Sequence, residues 1–198
     1  MAVGVREQIL GAATRLFEER GVDGFSMRQI AAEIGYSATT IYHHFDDKDA
    51  LMLAVCEDGF RGFERELGAA VAGAPDAPAA LRAACAAYVD WALDHPLHYE
   101  VMFIRPRAWA IGSNVPDRAD GGRADPPSFQ GLIDLAGWAA QAGAVRGEAR
   151  EVAALLWSAI HGPTSLSISM SDQIQGLDRE ATRRRAAALI EAVLASLA

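Results

Sequence analysis

At 198 residues, half of them hydrophobic, the chain can hold one ordinary domain or two small ones, and its net charge of −8 argues mildly against a binder of nucleic acid. No run approaches the roughly 18 apolar residues of a membrane span. Abundant alanine, with valine and isoleucine sparse and mostly isolated, favours helix packed closely on helix over a sheet.

The opening, MAVGVREQIL, leads straight into a helical pattern and lacks the form of a signal peptide. Ile9, Ala12, Ala13, Leu16 and Phe17 share one face of that first helix, which Gly21 closes. A second, short helix is expected from Ser26, a capping residue with Gln29 three positions on. Its inward face reads Met27, Ile30, Ala31 and Ile34, and the small Ala31 lets a third helix cross closely. Gly35 ends it where a left-handed backbone costs least. Ser37 caps the third helix, anchored inward by Ile41 and Phe45. Ala38, Thr39, Thr40, Tyr42 and His43 then face outward, and of the pair His43 and His44 one is expected to face out and the other to pack against the domain. Two short helices meeting at a glycine-containing turn are the sequence form of a helix-turn-helix, which places one helix in the major groove of DNA.

The acidic balance tempers that reading, since residues 1–50 carry five Lys and Arg against eight Asp and Glu. Placement counts for more. No acid lies between Tyr36 and Phe45, and Arg28 and Lys48 flank the stretch. Lys48, at the start of the next helix, opposes the helix dipole, a mismatch that a phosphate would relieve. These features predict a DNA-binding surface of Ser26, Arg28, Ser37, Ala38, Thr39, Thr40, Tyr42, His43 and Lys48.

The residues Ile9, Ala12, Ala13, Leu16, Phe17, Gly21, Phe25, Ser26, Ile30, Ala31, Gly35, Ser37, Ile41, Tyr42, Phe45, Lys48 and Leu51 together resemble the DNA-binding region of TetR-type (tetracycline-repressor-like) transcriptional regulators. Beyond it, a helix from Leu51 to about Val71 links to the rest, and GAPDAP at 73–78 breaks the pattern. Further helices are expected over Leu81–Asp94, from Pro96, over about 128–141, over about 148–169 and over about 178–197. Residues 105–128, rich in Gly, Pro and Asp, read as a long loop. The fold expected is all-α, with about nine helices: an N-terminal three-helix DNA-binding domain over 1–50 and a helical dimerisation and effector domain over 51–198.

His95-Pro96, Tyr99, Met102-Phe103 and the string Trp157 to Gly162 resemble the C-terminal domain of a TetR-type subgroup with a Trp-His-Gly signature. Pro163, directly after, departs from it and is expected to kink its helix. The resemblance implies repression of a pseudo-palindromic double-stranded DNA operator, release by a small molecule, and a homodimer built from the helices over about 148–197. Effector candidates are Tyr88, Trp91, Met102, Phe103, Trp109, Trp138, Trp157 and His161, set among few polar groups, which favours a largely apolar effector. For each of these, plain core packing is an equal alternative.

No cofactor or metal is expected. Asp94, His95, His98 and Glu100 fall short of a ligand set, because His95 precedes Pro96 at a helix entrance. HGPTSLSIS lacks a nucleophile-elbow pattern and no phosphate-binding loop is present, which argues against catalysis. Cys56 and Cys85 lie in predicted helices and are expected as buried, reduced thiols, in keeping with a cytoplasmic protein. The alternatives are an effector-independent dimeric DNA-binding protein, a ligand-sequestering helical protein without a DNA role and, more remotely, a metal-dependent enzyme.

Overall fold

A computed structural model of the protein describes residues 4–104 and 125–198. Among them are nine α-helices, one 3-10 turn, one π-helical segment and no strand. None of the described helices is long and apolar enough to cross a membrane. The chain divides into two compact units, one comprising residues through Phe60 with the segment that starts at Leu97, the other Arg61–Pro96 with the chain from 125 onward.

In the first unit, α1 (Val5–Arg20) buries Ile9, Ala12, Ala13, Leu16 and Phe17, the stripe expected from their spacing. It ends at Gly21, whose φ of 70° suits glycine. After the 3-10 turn Val22–Gly24 comes α2 (Met27–Glu33), with Met27, Ile30 and Ala31 buried. Gly35 takes a φ of 73° just past its end and turns the chain into α3 (Ala38–His44). The helix α4 (Lys48–Val71) starts at Lys48 and contributes Leu51, Met52, Ala54, Val55 and Cys56 to the core that α1 and α2 build. Val101 joins that core from the π-helical segment Glu100–Ile104, which follows the short α6 (Pro96–Tyr99). The single helix expected from Pro96 is thus two geometries in succession.

The second unit packs α5 (Ala77–Asp94), α7 (Pro127–Gln141), α8 (Ala149–Met170) and α9 (Arg179–Leu197) on one another. Small residues set the spacing. Ala77, Ala80, Ala84 and Ala92 of α5, Ala136 and Ala139 of α7, Ala153 of α8 and Ala181 and Ala186 of α9 are all buried. Asp76 caps α5 and Asp178 caps α9, each accepting the N–H three residues on, at 2.8 and 2.9 Å. The α5–α9 seam is edged by ion pairs Arg82–Glu191 (2.6 Å), Arg183–Asp90 (2.5 Å) and Arg179–Asp94.

Pro163 does not end α8, which runs unbroken from Ala149 to Met170. The proline removes one backbone donor. Next to it, the Thr164 hydroxyl donates to the Ile160 carbonyl at 2.7 Å and the Ser165 hydroxyl to the Gly162 carbonyl at 3.1 Å. Both cysteines are buried within helices, and burial pushes each thiol up to about 12.

Candidate functional site

The two motif helices are held by their caps. The Ser26 N–H donates to Gln29 Oε1 at 2.8 Å, and the Ser26 hydroxyl oxygen accepts the Gln29 N–H at 3.4 Å. At α3, Ser37 Oγ accepts the Thr40 N–H at 3.2 Å, and the two side-chain hydroxyls lie 3.0 Å apart. Ile41 and Phe45 are buried, so they fix which face of α3 turns inward. Thr39, Tyr42 and His43 lie exposed, while Ala38 and Thr40 are half-buried. Tyr42 leaves 51% of its surface open. Arg28 of α2 is exposed as well. The side chains of Arg28, Thr39, Tyr42, His43 and His44 make no hydrogen bond or ion pair among the described residues.

Two expectations change here. His43 and His44 are both exposed, because Ile41 and Phe45 alone occupy the inward arc. The dipole mismatch at Lys48 is relieved internally: Nζ donates to the Phe25 carbonyl at 2.5 Å and sits 4.3 Å from the centre of the Phe25 ring. Lys48 therefore ties the first turn of α4 to the residue ahead of the α2 cap. Tyr36, in the turn between α2 and α3, was not singled out although it is 39% exposed. Its signal was an aromatic residue directly before a capping serine.

In the second unit, Tyr88 of α5 is buried and its hydroxyl meets two side chains of α8. Trp157 donates its indole N–H to the Tyr88 oxygen at 3.2 Å, and His161 Nδ1 lies 3.0 Å from the same oxygen. An indole can only donate, so the Tyr88 proton remains for His161. Burial holds the His161 pKa below its ordinary value and so favours the neutral ring. Around this chain Phe63 packs on Tyr88 and Trp91, with ring centres 5.6 and 5.0 Å apart, and Phe129 packs on Trp157 at 5.8 Å. Phe63 is an apolar position of the expected helix from Leu51 to about Val71, but its place beside Tyr88, like that of Phe129 beside Trp157, follows only once the helices are packed.

The remaining effector candidates scatter. Trp138 lies on the surface, 45% exposed. Met102 and Phe103 belong to the first unit, where Phe103 packs on Phe60 and Tyr99 at 5.9 and 5.1 Å. Trp109 lies outside the described residues. A groove of about 670 Å³ lies between α8, α9 and the turn that joins them, lined by Pro163, Leu166, Ile174, Leu177, Arg185 and Leu189 among others, and none of the expected effector side chains lines it. Leu166, Ile174 and Leu189 are exposed along this groove, and Leu155 is exposed further towards the start of α8.

Residues 9–55 match the family model described as bacterial regulatory proteins, tetR family, and residues 81–197 match a tetracyclin repressor-like C-terminal domain. Neither description carries the Trp-His-Gly subgroup. Over 53 residues the chain is 45% identical to the HTH-type transcriptional repressor Rv1474c of Mycobacterium tuberculosis, covering 27% of this chain and 28% of that protein. The chain thus matches under a third of the length of this curated relative. A protein of unknown function from Rhodococcus sp. RHA1 shares the whole fold, at 26% identity and a TM-score of 0.76, covering 100% of this chain and 97% of the other. A TetR-family transcriptional regulator from Pectobacterium atrosepticum shares the fold at 24% identity and a TM-score of 0.70, covering 97% and 93%.

Proposed function

The chain belongs to the TetR family of bacterial regulatory proteins, and from that premise we propose that it is a cytoplasmic homodimer that represses transcription at a pseudo-palindromic operator. Residues 1–50 carry the DNA-binding surface and residues 51–198 dimerise and bind a small-molecule effector that releases the protein from DNA. The observation that carries the reading is α3. It exposes Thr39, Tyr42 and His43, with Arg28 on the neighbouring helix, and their side chains have no hydrogen-bonding or ionic partner among the described residues. Groups held ready on a capped, core-anchored helix and left unsatisfied within the fold are what base edges and phosphates require. No acid lies from Tyr36 to Phe45, so this stretch adds no negative charge of its own to the net charge of −8.

For the dimer, the support is the exposed Leu155, Leu166 and Leu189 on α8 and α9, with Ala188 and Ala192 open beside them. An isologous pairing of the two helices with their copies would cover that apolar surface. For the effector, the support is the Trp157–Tyr88–His161 chain among Phe63, Trp91 and Phe129, an apolar surround with one convergent polar group. The string Trp157 to Gly162 further suggests the Trp-His-Gly subgroup. The chain is read as a regulator and not as an enzyme.

Selection of duplexes from random oligonucleotides tests the reading. Two related half-sites should be enriched, with centres spaced by about one helical turn or a multiple of it. Enrichment of no sequence, or binding that ignores sequence, would refute it.

A further inference from the structure

The way Thr40 is held within α3 bears on which base it can read. None of the seven residues Ala38–His44 is Arg, Lys, Asn or Gln, the side chains that pair bidentately with guanine or adenine in the major groove. None is an acid able to accept a hydrogen bond from cytosine. The front of the helix, Ala38, Thr39 and Thr40, offers only methyls and hydroxyls. Of the two hydroxyls, only that of Thr40 has a partner among the described residues. It lies 3.0 Å from the Ser37 hydroxyl, whose oxygen also accepts the Thr40 N–H at 3.2 Å. These contacts fix the side-chain rotamer and turn the polar branch back to the cap. The branch that remains is the methyl, on a residue left half-exposed. Thymine carries a C5-methyl in the major groove, and contact with a threonine or alanine methyl is how that group is recognised.

We propose that Thr40 reads thymine: its methyl packs on the C5-methyl of one thymine in each half-site while Ser37 holds its hydroxyl away from the bases. The proposal rests on the DNA-binding reading above and adds the identity of the base and of the contacting group. Thr39, whose hydroxyl has no partner among the described residues, keeps the freedom to donate to a base or a phosphate.

The experiment starts from the operator enriched by the unmodified protein. Each thymine is replaced in turn by deoxyuridine, which differs only in lacking the methyl. One position per half-site should weaken binding by about fourfold, the effect of one buried methyl-sized group, and substitution in both half-sites by about sixteenfold. Thr40→Val keeps methyls and discards the hydroxyl, so it should retain the deoxyuridine effect. Thr40→Ser keeps the hydroxyl and discards the methyl, so it should bind the thymine operator about fourfold more weakly per half-site and lose nothing more on deoxyuridine. An unmodified protein indifferent to deoxyuridine everywhere would overturn the proposal while leaving the DNA-binding reading intact. A Thr40→Ser protein with the full deoxyuridine effect would also overturn it. Enrichment of no DNA overturns the DNA-binding reading itself.

Discussion

Arg28, Tyr42 and Lys48 flank or stand on the same helix but differ in what they touch. Arg28 and Tyr42 have no hydrogen-bonding or ionic partner among the described residues, whereas the Lys48 ammonium already serves the Phe25 carbonyl and ring. Arg28→Ala or Tyr42→Ala should therefore weaken operator binding by about 1–3 kcal/mol and leave folding unchanged. Lys48→Met should lower stability by about 1–2 kcal/mol in urea unfolding, through loss of a charge-assisted hydrogen bond and a cation–π contact. It should leave the salt dependence of binding in place, since an intramolecular contact releases no counterions from DNA. A salt slope reduced by about one in Lys48→Met would instead identify a direct phosphate contact. His161 gives a pH dependence of known sign. Its pKa is depressed in the folded protein by burial, so the unfolded chain takes up the proton first as pH falls. The stability it contributes is complete above the ordinary value of 6.5 and drains away below it. Melting curves at pH 7.5 and 5.5 should show a smaller loss for His161→Gln than for the unmodified protein, and equal losses would remove His161 from the account.

Among the elements, α4 shows how closely packing depends on a missing side chain. Gly59 faces the buried His98, and a Cβ built there would stand 2.7 Å from the imidazole Cδ2. The ring has little room to retreat, since it packs edge-on against Phe17 at 4.8 Å with its Nδ1 3.7 Å from a Glu18 carboxylate oxygen. Gly59→Ala should thus cost about 1–2 kcal/mol despite the gain in helix propensity. A second change, His98→Ala, should make the Gly59→Ala cost vanish in a double-mutant cycle of denaturation midpoints. The helices themselves were legible because their signals are local: Ser26 with Gln29, Gly35, Ser37, Asp76 and Asp178 each mark a boundary within four residues of themselves. The outward set on α3 was legible for the same reason, with Ile41 and Phe45 four apart fixing the inward side. Contacts between distant residues were not. Lys48 meets Phe25 across 23 positions and Tyr88 meets His161 across 73, and no periodicity within one helix carries that pairing. The helix expected over about 148–169 runs as α8 from Ala149 to Met170 with Pro163 inside it, because the sequence around the proline remains helical and only one backbone donor is lost.

At the scale of the whole molecule, the proposed dimer makes the apolar side of α8 and α9 the decisive surface. Ala188 is exposed beside the groove that Leu166, Ile174 and Leu189 line. Ala188→Glu should yield a folded monomer by light scattering at micromolar concentration, with operator affinity falling as the second half-site is lost. An Ala188→Glu protein that stays dimeric would move the interface elsewhere. The two buried thiols, one in each compact unit, equip the protein with a pair of internal clocks. With each pushed up to about 12, almost no thiolate exists at neutral pH, and an alkylating reagent must wait for the surrounding helices to open. The labelling rate of Cys56 then times excursions of the first unit, and that of Cys85 times those of the second. Operator DNA should slow the Cys56 clock more than the Cys85 clock, and a small molecule bound beside Tyr88 should do the reverse, so peptide mass spectrometry would locate each ligand by which unit it quiets.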